Sequence, residues 1–442
     1  MRPSPALFDD RPPRQRSPTA GPPSAPAVRS PGLRALRDTC VDNEAGVLRR
    51  VLTHRPGAEL NRLDPGDCQA LLFDDLPWVQ RAQAEHDDFT RLLRDNGVDV
   101  VELESVLAAA LAEPGVGRRT VRAVVAAQRL SPPVAAAVDD FCHERPARAR
   151  AGLLLAGITV RELTAEHPRA VTASLDTRTR SPDSFVLPPL VNSLFVRDCS
   201  SWLGRHHLAH RMATTARRAE GLLLRAAARA AGARPLTGPA GPGPTEPVEG
   251  GDVLLAGPDC VLVGVGERTT PAAAEQLARL LLSSGQARHV FAVLLPRGRQ
   301  CMHLDTVLTM VDGDTFLASD SHLRACRWFA LRLDRDAEVV AESVDDPLTR
   351  LAGSLGLPAL RLITTGGDRT GGEARREQWS DAANVLVVRP RTVVAYDRNV
   401  VANEQLSAAG IEVLTTPGAE LVRGRGGPHC LSCPLLRGPL DA

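Results

Sequence analysis

The chain contains no lysine: all 53 of its basic residues are arginine. A Schiff-base lysine, a phosphate-loop lysine and a lysine general base are therefore excluded. Pyridoxal-phosphate enzymes, Walker-type ATPases and class I aldolases go with them. Apolar runs of the ~18 residues that a membrane-spanning helix needs are also missing. The first residues carry proline and arginine where a signal peptide would carry an apolar stretch. No glycine fingerprint for a dinucleotide follows the early strand-like runs, which disfavours a doubly wound nucleotide domain. Neither charge sign dominates, since 52 acidic residues leave a net charge of +1, so bulk charge gives no nucleic acid a hold. Nine cysteines, odd in number and scattered, do not form a disulfide framework. These absences lead us to expect a soluble protein of a reducing cytoplasm, with no membrane or nucleic-acid partner.

What remains is an ordinary globular composition. Of 442 residues, 43% are hydrophobic and 24% charged, enough for a large core and more than one unit. Residues 1–38 are rich in Pro, Arg and Ser and are expected to be a disordered tail. Residues 235–248, PLTGPAGPGPTEPV, read as an exposed loop. Elsewhere a pattern recurs. Residues 78–96 place Trp78, Ala82, Phe89, Leu92 and Leu93 at near-helical spacing; Gly97 stands where a helix C-cap glycine would, and residues 98–103 read as a strand. Residues 270–284 with Gly285 and strand 289–295 repeat this, as do 347–355 with Gly356 and 359–363, and 403–409 with Gly410 and 411–414. Helix, glycine, buried strand, several times over, predicts an α/β array of similar modules. The Ala-, Arg- and Leu-rich stretch from residue 107 lacks strand alternation and reads as an insertion of short helices.

Four clusters could carry chemistry. Cys430 follows a Gly-rich turn beside Arg425 and His429. Exposure and positive surroundings there would lower a thiol below its free pKa of about 8.5. Cys430 and Cys433 have the spacing of half a zinc site, but no second cysteine pair exists. His303 and Asp305 would share one face if their segment were a strand. Glu249-Gly250-Gly251-Asp252 places two acids around two glycines, suggesting close backbone approach. Phe195-Val196-Arg197-Asp198 follows an apolar run. Taken singly, the first three clusters are better explained as structural turns or a structural hydrogen-bonded pair, and the fourth can be a strand-end ion pair. His206, His207 and His210 lack nearby carboxylates at ligand spacing and sit in what reads as an exposed turn, so no metal is expected there. Together the clusters offer a thiol, a histidine, acids suited to a planar cation and arginines suited to a carboxylate.

At this point the sequence resembles arginine deiminase, of the guanidino-group-modifying superfamily. Four blocks carry the resemblance: Phe195-Val196-Arg197-Asp198; Glu249-Gly250-Gly251-Asp252-Val253; Met302-His303-Leu304-Asp305-Thr306-Val307; and the stretch from Gly424 to Pro434 around Cys430. Glu44-Ala45-Gly46, Leu71-Leu72-Phe73-Asp74-Asp75, Gly266-Glu267-Arg268-Thr269, Arg376-Glu377-Gln378-Trp379 and Tyr396-Asp397-Arg398-Asn399 support it, in the family's order. The resemblance implies a five-module α/β propeller with pseudo-fivefold symmetry: a first module at 39–105, a helical insertion at 106–183 and the remaining modules at 184–442. It implies conversion of L-arginine and water to L-citrulline and ammonia, with no metal or organic cofactor. Cys430 would be the nucleophile and His303 the proton carrier, oriented by Glu249. Asp198 and Asp305 would hold the guanidinium. Arg217, Arg268 and Arg425 match arginines around the substrate carboxylate, and Asn192 and Phe195 match further substrate contacts. Asp252 is expected to support the site. A homo-oligomer is compatible with the resemblance.

The sequence also departs from the family pattern. Ser380-Asp381-Ala382-Ala383-Asn384 stands where Gly-Asn-Asn is common, Val196 where a polar residue is, and Thr214-Thr215 where an aromatic and a proline are. An amidinotransferase or a hydrolase of methylated or decarboxylated arginine is the runner-up. The three arginines count against a decarboxylated substrate. A non-catalytic arginine sensor is a third reading, and the retained thiol and histidine count against it.

Overall fold

The computed structural model describes residues 32–238, 243–367 and 371–440. Most of the expected tail therefore lies outside the described residues. Within it, Gly32–Leu36 forms a 3-10 turn with Ala35 and Leu36 buried, so packed chain begins before the expected boundary at residue 38.

The fold is mixed α/β, and five of its sheets contain the same three-strand pattern. Two antiparallel strands are followed by a helix, and the next strand pairs in parallel with the second. The unit at Val253–Gly257 and Cys260–Val265 continues through helix Pro271–Ser283 to strand His289–Leu294. Another runs Ser200–Leu203, His206–Ala209, helix Arg218–Ala230 and Arg234–Pro235. A third runs Leu308–Met310, Thr315–Ala318, helix Pro347–Ser354 and Arg361–Thr364. Its long connection returns Arg327–Leu333 and Val339–Val344 to the neighbouring sheet, which they extend to five strands. A fourth runs Leu386–Arg389, Thr392–Tyr396, helix Val400–Ala408 and Glu412–Thr416. The remaining unit joins the two ends of the ordered chain. Cys433–Arg437 pairs antiparallel with Leu48–Thr53, which leads through helix Val79–Asp95 to Asp99–Glu102.

The five helices end identically, for a local reason. Gly97, Gly232, Gly285, Gly356 and Gly410 all have φ between 70° and 82°. That left-handed conformation costs a residue with a Cβ more than it costs glycine. At each, the glycine N–H and the next N–H turn back to the last helical carbonyls, as in Val98 N to Leu93 O at 3.1 Å and Ile411 N to Leu406 O at 3.0 Å. This Schellman arrangement sends the chain straight into the following strand. Thr270 caps the start of one helix by accepting from Ala273 N, with proline at the first helical position.

Between Asp99–Glu102 and Phe185–Leu187 lie seven helices, from Leu103–Ala112 to Leu175–Arg178, with one two-residue strand among them. Leu107, Val121, Val138 and Leu154 from these helices share a core with Leu223 and Leu277 of the units. Two sequence expectations fail here. Arg234–Pro235 is a strand, and Leu236 and Val248 are buried, so 235–248 is not wholly an exposed loop. The histidine segment is strand His206–Ala209 with His207 and His210 buried, because Trp202 and the cross-strand pairing cover it. Among the described residues, no helix is long and apolar enough to cross a membrane.

Candidate active site

Each unit sends the segment just ahead of its first strand to one place. Asp198 precedes Ser200–Leu203, Glu249 and Asp252 precede Val253–Gly257, and His303 and Asp305 precede Leu308–Met310. Asn384 precedes Leu386–Arg389, and Cys430 precedes Cys433–Arg437. Residues far apart in sequence thus meet because their structural positions are equivalent.

His303 lies in extended backbone, and Leu304–Thr306 is a 3-10 turn. The expected strand is absent, and with it the side-by-side His303–Asp305 pair. A 3-10 turn advances about 120° per residue, so the two side chains diverge. His303 Nε2 lies 2.8 Å from Glu249 Oε2, and its Nδ1 lies 3.6 Å from Asp198 Oδ1. Burial alone would push His303 down; Asp198, Glu249 and Asp252 outweigh it and raise the imidazole to about 9. Glu249 is buried too, yet His303 and Arg268, whose Nη1 is 3.1 Å away, hold it well below the usual carboxylate range. Ala213 N donates to its other oxygen at 3.0 Å. Burial pushes Asp252 up to about 7. It accepts from Thr269 Oγ1 at 2.6 Å and Leu304 N at 2.9 Å, and so pins the His303 loop. Gly251 is required by space: a Cβ there would lie 2.8 Å from His303 Cγ and 3.0 Å from Asp198 Oδ1.

The thiol side is built differently. Cys430 Sγ lies 3.5 Å from Asp305 Oδ2, which lies 2.8 Å from His429 Nδ1. His429 Nε2 is 3.5 Å from Glu44, which is paired with Arg197 at 3.2 Å. Asn384 Oδ1 accepts from the N–H groups of Gly427 and Cys430, both at 3.0 Å, and its Nδ2 donates to Asp305 O at 3.2 Å. Phe195 covers the turn, and a Cβ on Gly426 would sit 2.5 Å from its ring. The expectation of an exposed, low-pKa thiol is wrong. Cys430 is buried, and burial followed by the charges of Asp305, Asp198 and Asp381 raises it well above an ordinary thiol. Arg425 and His429 neighbour it in sequence, but the groups acting on the sulfur are carboxylates.

The arginines divide. Arg217 is buried, with Nη1 2.5 Å from Asp198 Oδ2 and Nη2 2.8 Å from Glu220 Oε2. It also donates to the carbonyls of Asn192 and Phe195. Arg268 is engaged by Glu249. Arg425 has φ 66°, stacks 3.9 Å over Trp379 and donates to its carbonyl, while its Nε and Nη2 have no hydrogen-bond partner. Asn192 Nδ2 donates to Leu71 O at 2.7 Å.

Sequence reasoning did not assign roles to His429, Asn384, Glu44 or Arg197. Glu44, Arg197 and His429 lie inside the quoted blocks, which was their signal. Asn384 lies inside the departure at 380–384, where only its position ahead of a strand marks it. Asp198, Glu249 and His303 each present one ligand atom, all within 4.8 Å of one another. All three already satisfy one another or an arginine.

The structure thus gathers a buried thiol, a carboxylate-bound imidazole and two further acids on an α/β scaffold. The family model for arginine deiminase matches residues 69–437. The chain is 44% identical over 404 residues to the arginine deiminase of Mycobacterium avium strain 104, covering 90% of this chain and 98% of that protein. The chain belongs to the arginine deiminase family. Two solved structures show the fold at low identity. The product-bound N-terminal domain of ArgZ, an arginine dihydrolase from the ornithine–ammonia cycle in cyanobacteria, matches with TM-score 0.50 and 13% identity, covering 87% of this chain and 96% of that one. SxtG, an amidinotransferase from Microseira wollei, matches with TM-score 0.50 and 14% identity, covering 91% and 99%.

Proposed function

We propose that this site hydrolyses L-arginine to L-citrulline and ammonia through an amidino-cysteine intermediate. The observation that carries the reading is the pairing of Cys430 with Asp305 on one side and of His303 with Glu249 and Asp198 on the other. A guanidinium bound between Asp198 and Asp305 cancels the negative charge that raises the thiol. Binding the substrate therefore favours the thiolate. The sulfur attacks the guanidinium carbon, and the C–N bond to a terminal nitrogen breaks. His303, protonated at neutral pH, gives its proton to the departing ammonia. The neutral imidazole then takes a proton from water as the water oxygen adds to the thiouronium carbon. The C–S bond breaks, citrulline leaves and the thiol is restored. Arg425 suits the substrate carboxylate best of the three arginines, because its Nε and Nη2 have no hydrogen-bond partner and its carboxylate neighbour, Asp74, is 3.8 Å away.

The same reading extends to architecture. A propeller of five modules, with the first at 39–105, a helical insertion at 106–183 and the rest at 184–442, is supported by the repeated strand–helix pattern and by the pairing of Cys433–Arg437 with Leu48–Thr53. A cytoplasmic location is supported by nine free thiols. The test is incubation of purified protein with L-arginine, measuring citrulline and ammonia together, beside Cys430→Ser. Equal amounts of both, reduced on the order of 10,000-fold or more in the variant, support the reading. A folded protein that forms no citrulline overturns it, and glycine offered as an amidino acceptor then tests the transferase alternative.

A further inference from the structure

Two buried ionisable groups beside the site, Glu44 and His429, take no part in the proton transfers proposed above. They belong to a chain of side chains that mirrors the one around His303. Each of the two aspartates assigned to the guanidinium has a histidine Nδ1 near it. Each of those histidines has a glutamate at its Nε2. On one side the order is Asp198, His303, Glu249, with distances of 3.6 and 2.8 Å. On the other it is Asp305, His429, Glu44, with distances of 2.8 and 3.5 Å. The two chains are weighted oppositely. His303 is bound to its glutamate, and its Nδ1 stays short of a hydrogen bond to Asp198. His429 is bound to its aspartate instead, so its proton is committed there.

The contact with His429 divides the work of the two Asp305 oxygens. Burial alone would push Asp305 up; the hydrogen bond from His429 is the largest of the influences that outweigh burial and hold it below its ordinary value. An ionised carboxylate only accepts, so His429 Nδ1 carries the hydrogen and donates it to Oδ2. The Cys430 thiol donates to the same oxygen from 3.5 Å. Oδ1 is left with no hydrogen-bond partner. The turn that carries His429 is itself tied down. Arg197 Nε donates to the carbonyls of His429 and Ser432, and Ser432 Oγ donates to the His429 carbonyl at 3.0 Å. The same Arg197 pairs with Glu44.

We propose that His429 is a positioning residue for the reaction: its Nδ1–H engages Asp305 Oδ2, the oxygen that draws the thiol proton, and leaves Oδ1 to accept from the substrate guanidinium. Glu44, held by Arg197, keeps the imidazole turned toward Asp305. His429 acts through Asp305 and moves no proton itself. Removing its donor has two consequences. The Asp305 carboxylate is free to rotate, and its charge bears undiminished on the sulfur, so the thiolate is opposed more strongly. The effect on turnover rests on the amidino-cysteine reading; the effect on the thiol does not.

The experiment compares His429→Asn and His429→Gln with the parent, all as full chains. The asparagine amide nitrogen takes the place of Nδ1 and can still donate to Asp305. The glutamine amide nitrogen lies one bond further out, nearer the place of Nε2. Two quantities are read: kcat and KM for citrulline formation, and the pH at which iodoacetamide alkylation titrates at the Cys430 peptide. In His429→Gln we expect kcat to fall on the order of 100-fold, the loss that a misplaced catalytic group causes, with KM changed less. Its thiol should titrate at higher pH than the parent's. His429→Asn should recover about tenfold or more of the lost kcat, as one charge-assisted hydrogen bond is worth, and return the thiol titration toward the parent's. An unchanged circular dichroism spectrum shows that each variant folds. Equal losses in the two folded variants, or an unmoved thiol titration in His429→Gln, overturn the proposal. If the parent forms no citrulline while the thiol titration shifts as expected, the reaction assigned above fails and the positioning of Asp305 by His429 stands.

Discussion

His303 and Cys430 are both buried, and both hold a proton at neutral pH, but their surroundings differ. Around His303 the charges alternate: Glu249 and Asp198 face the imidazole, and Arg268 and Arg217 face those acids in turn. Its protonated form is stabilised by what the protein supplies. Around Cys430 the nearby charges are carboxylates, so its ionised form is opposed. On the proposed mechanism, the acid is ready before substrate arrives, and the nucleophile is not. A guanidinium would supply the positive charge that the thiol side lacks. On that reading the reactive thiolate forms only when the site is occupied, which would protect Cys430 from oxidation and alkylation between turnovers.

The comparison can be broken most severely at the ready half. We expect His303→Asn to lower citrulline formation on the order of 100- to 10,000-fold, the range of a lost general acid. In the parent protein, activity should fall as pH rises through about 9, where His303 loses its proton. Stability follows the same group. Its folded pKa lies above the ordinary 6.5, so its contribution is complete below that value and is lost as pH rises through about 9. Urea unfolding across this window checks the sign, and the slope should flatten in the variant. At the other half, Asn384→Ala removes the acceptor for two buried N–H groups beside the sulfur. A turnover loss of roughly 100-fold is expected from a displaced nucleophile, read as kcat with little change in KM. Gly251→Ala presses on the His303 half again by forcing His303 away from Asp198, at a cost of about 1–3 kcal/mol in unfolding free energy. The smallest effect sharpens the contrast itself. Alkylation of Cys430 by iodoacetamide, followed against pH, should show a thiol titrating at lower pH in Asp305→Asn. An unchanged titration would mean that Asp305 does not oppose the thiolate.

Much of the fold was legible because its cause is local. Four of the five helix–glycine–strand joints could be read directly, since glycine at φ near 80° is a one-residue requirement. The fifth, Ala230 to Gly232, lies in an Ala- and Arg-rich stretch whose following strand has only two residues, too short for a periodic signal. The site blocks were legible too, through glycines and acids in fixed order. What failed were statements about who faces whom. His303 and Asp305 are two residues apart, yet one faces Glu249 and the other His429, because the segment turns instead of extending. His429 adjoins Cys430 in sequence but engages Asp305, and the expected positive setting of the thiol is a negative one.

The sequence by itself determined the modules, the residue types of the site and the family. Each of those rests on short-range spacing: a cap, a turn, an ordered motif. Only the tertiary structure decided the electrostatics. Whether Cys430 is exposed, and whether Arg217 is free or held by Asp198 and Glu220, depend on how the chain packs in space. Solvent exclusion and charge act through space across those contacts, and no local pattern in the chain encodes the distances.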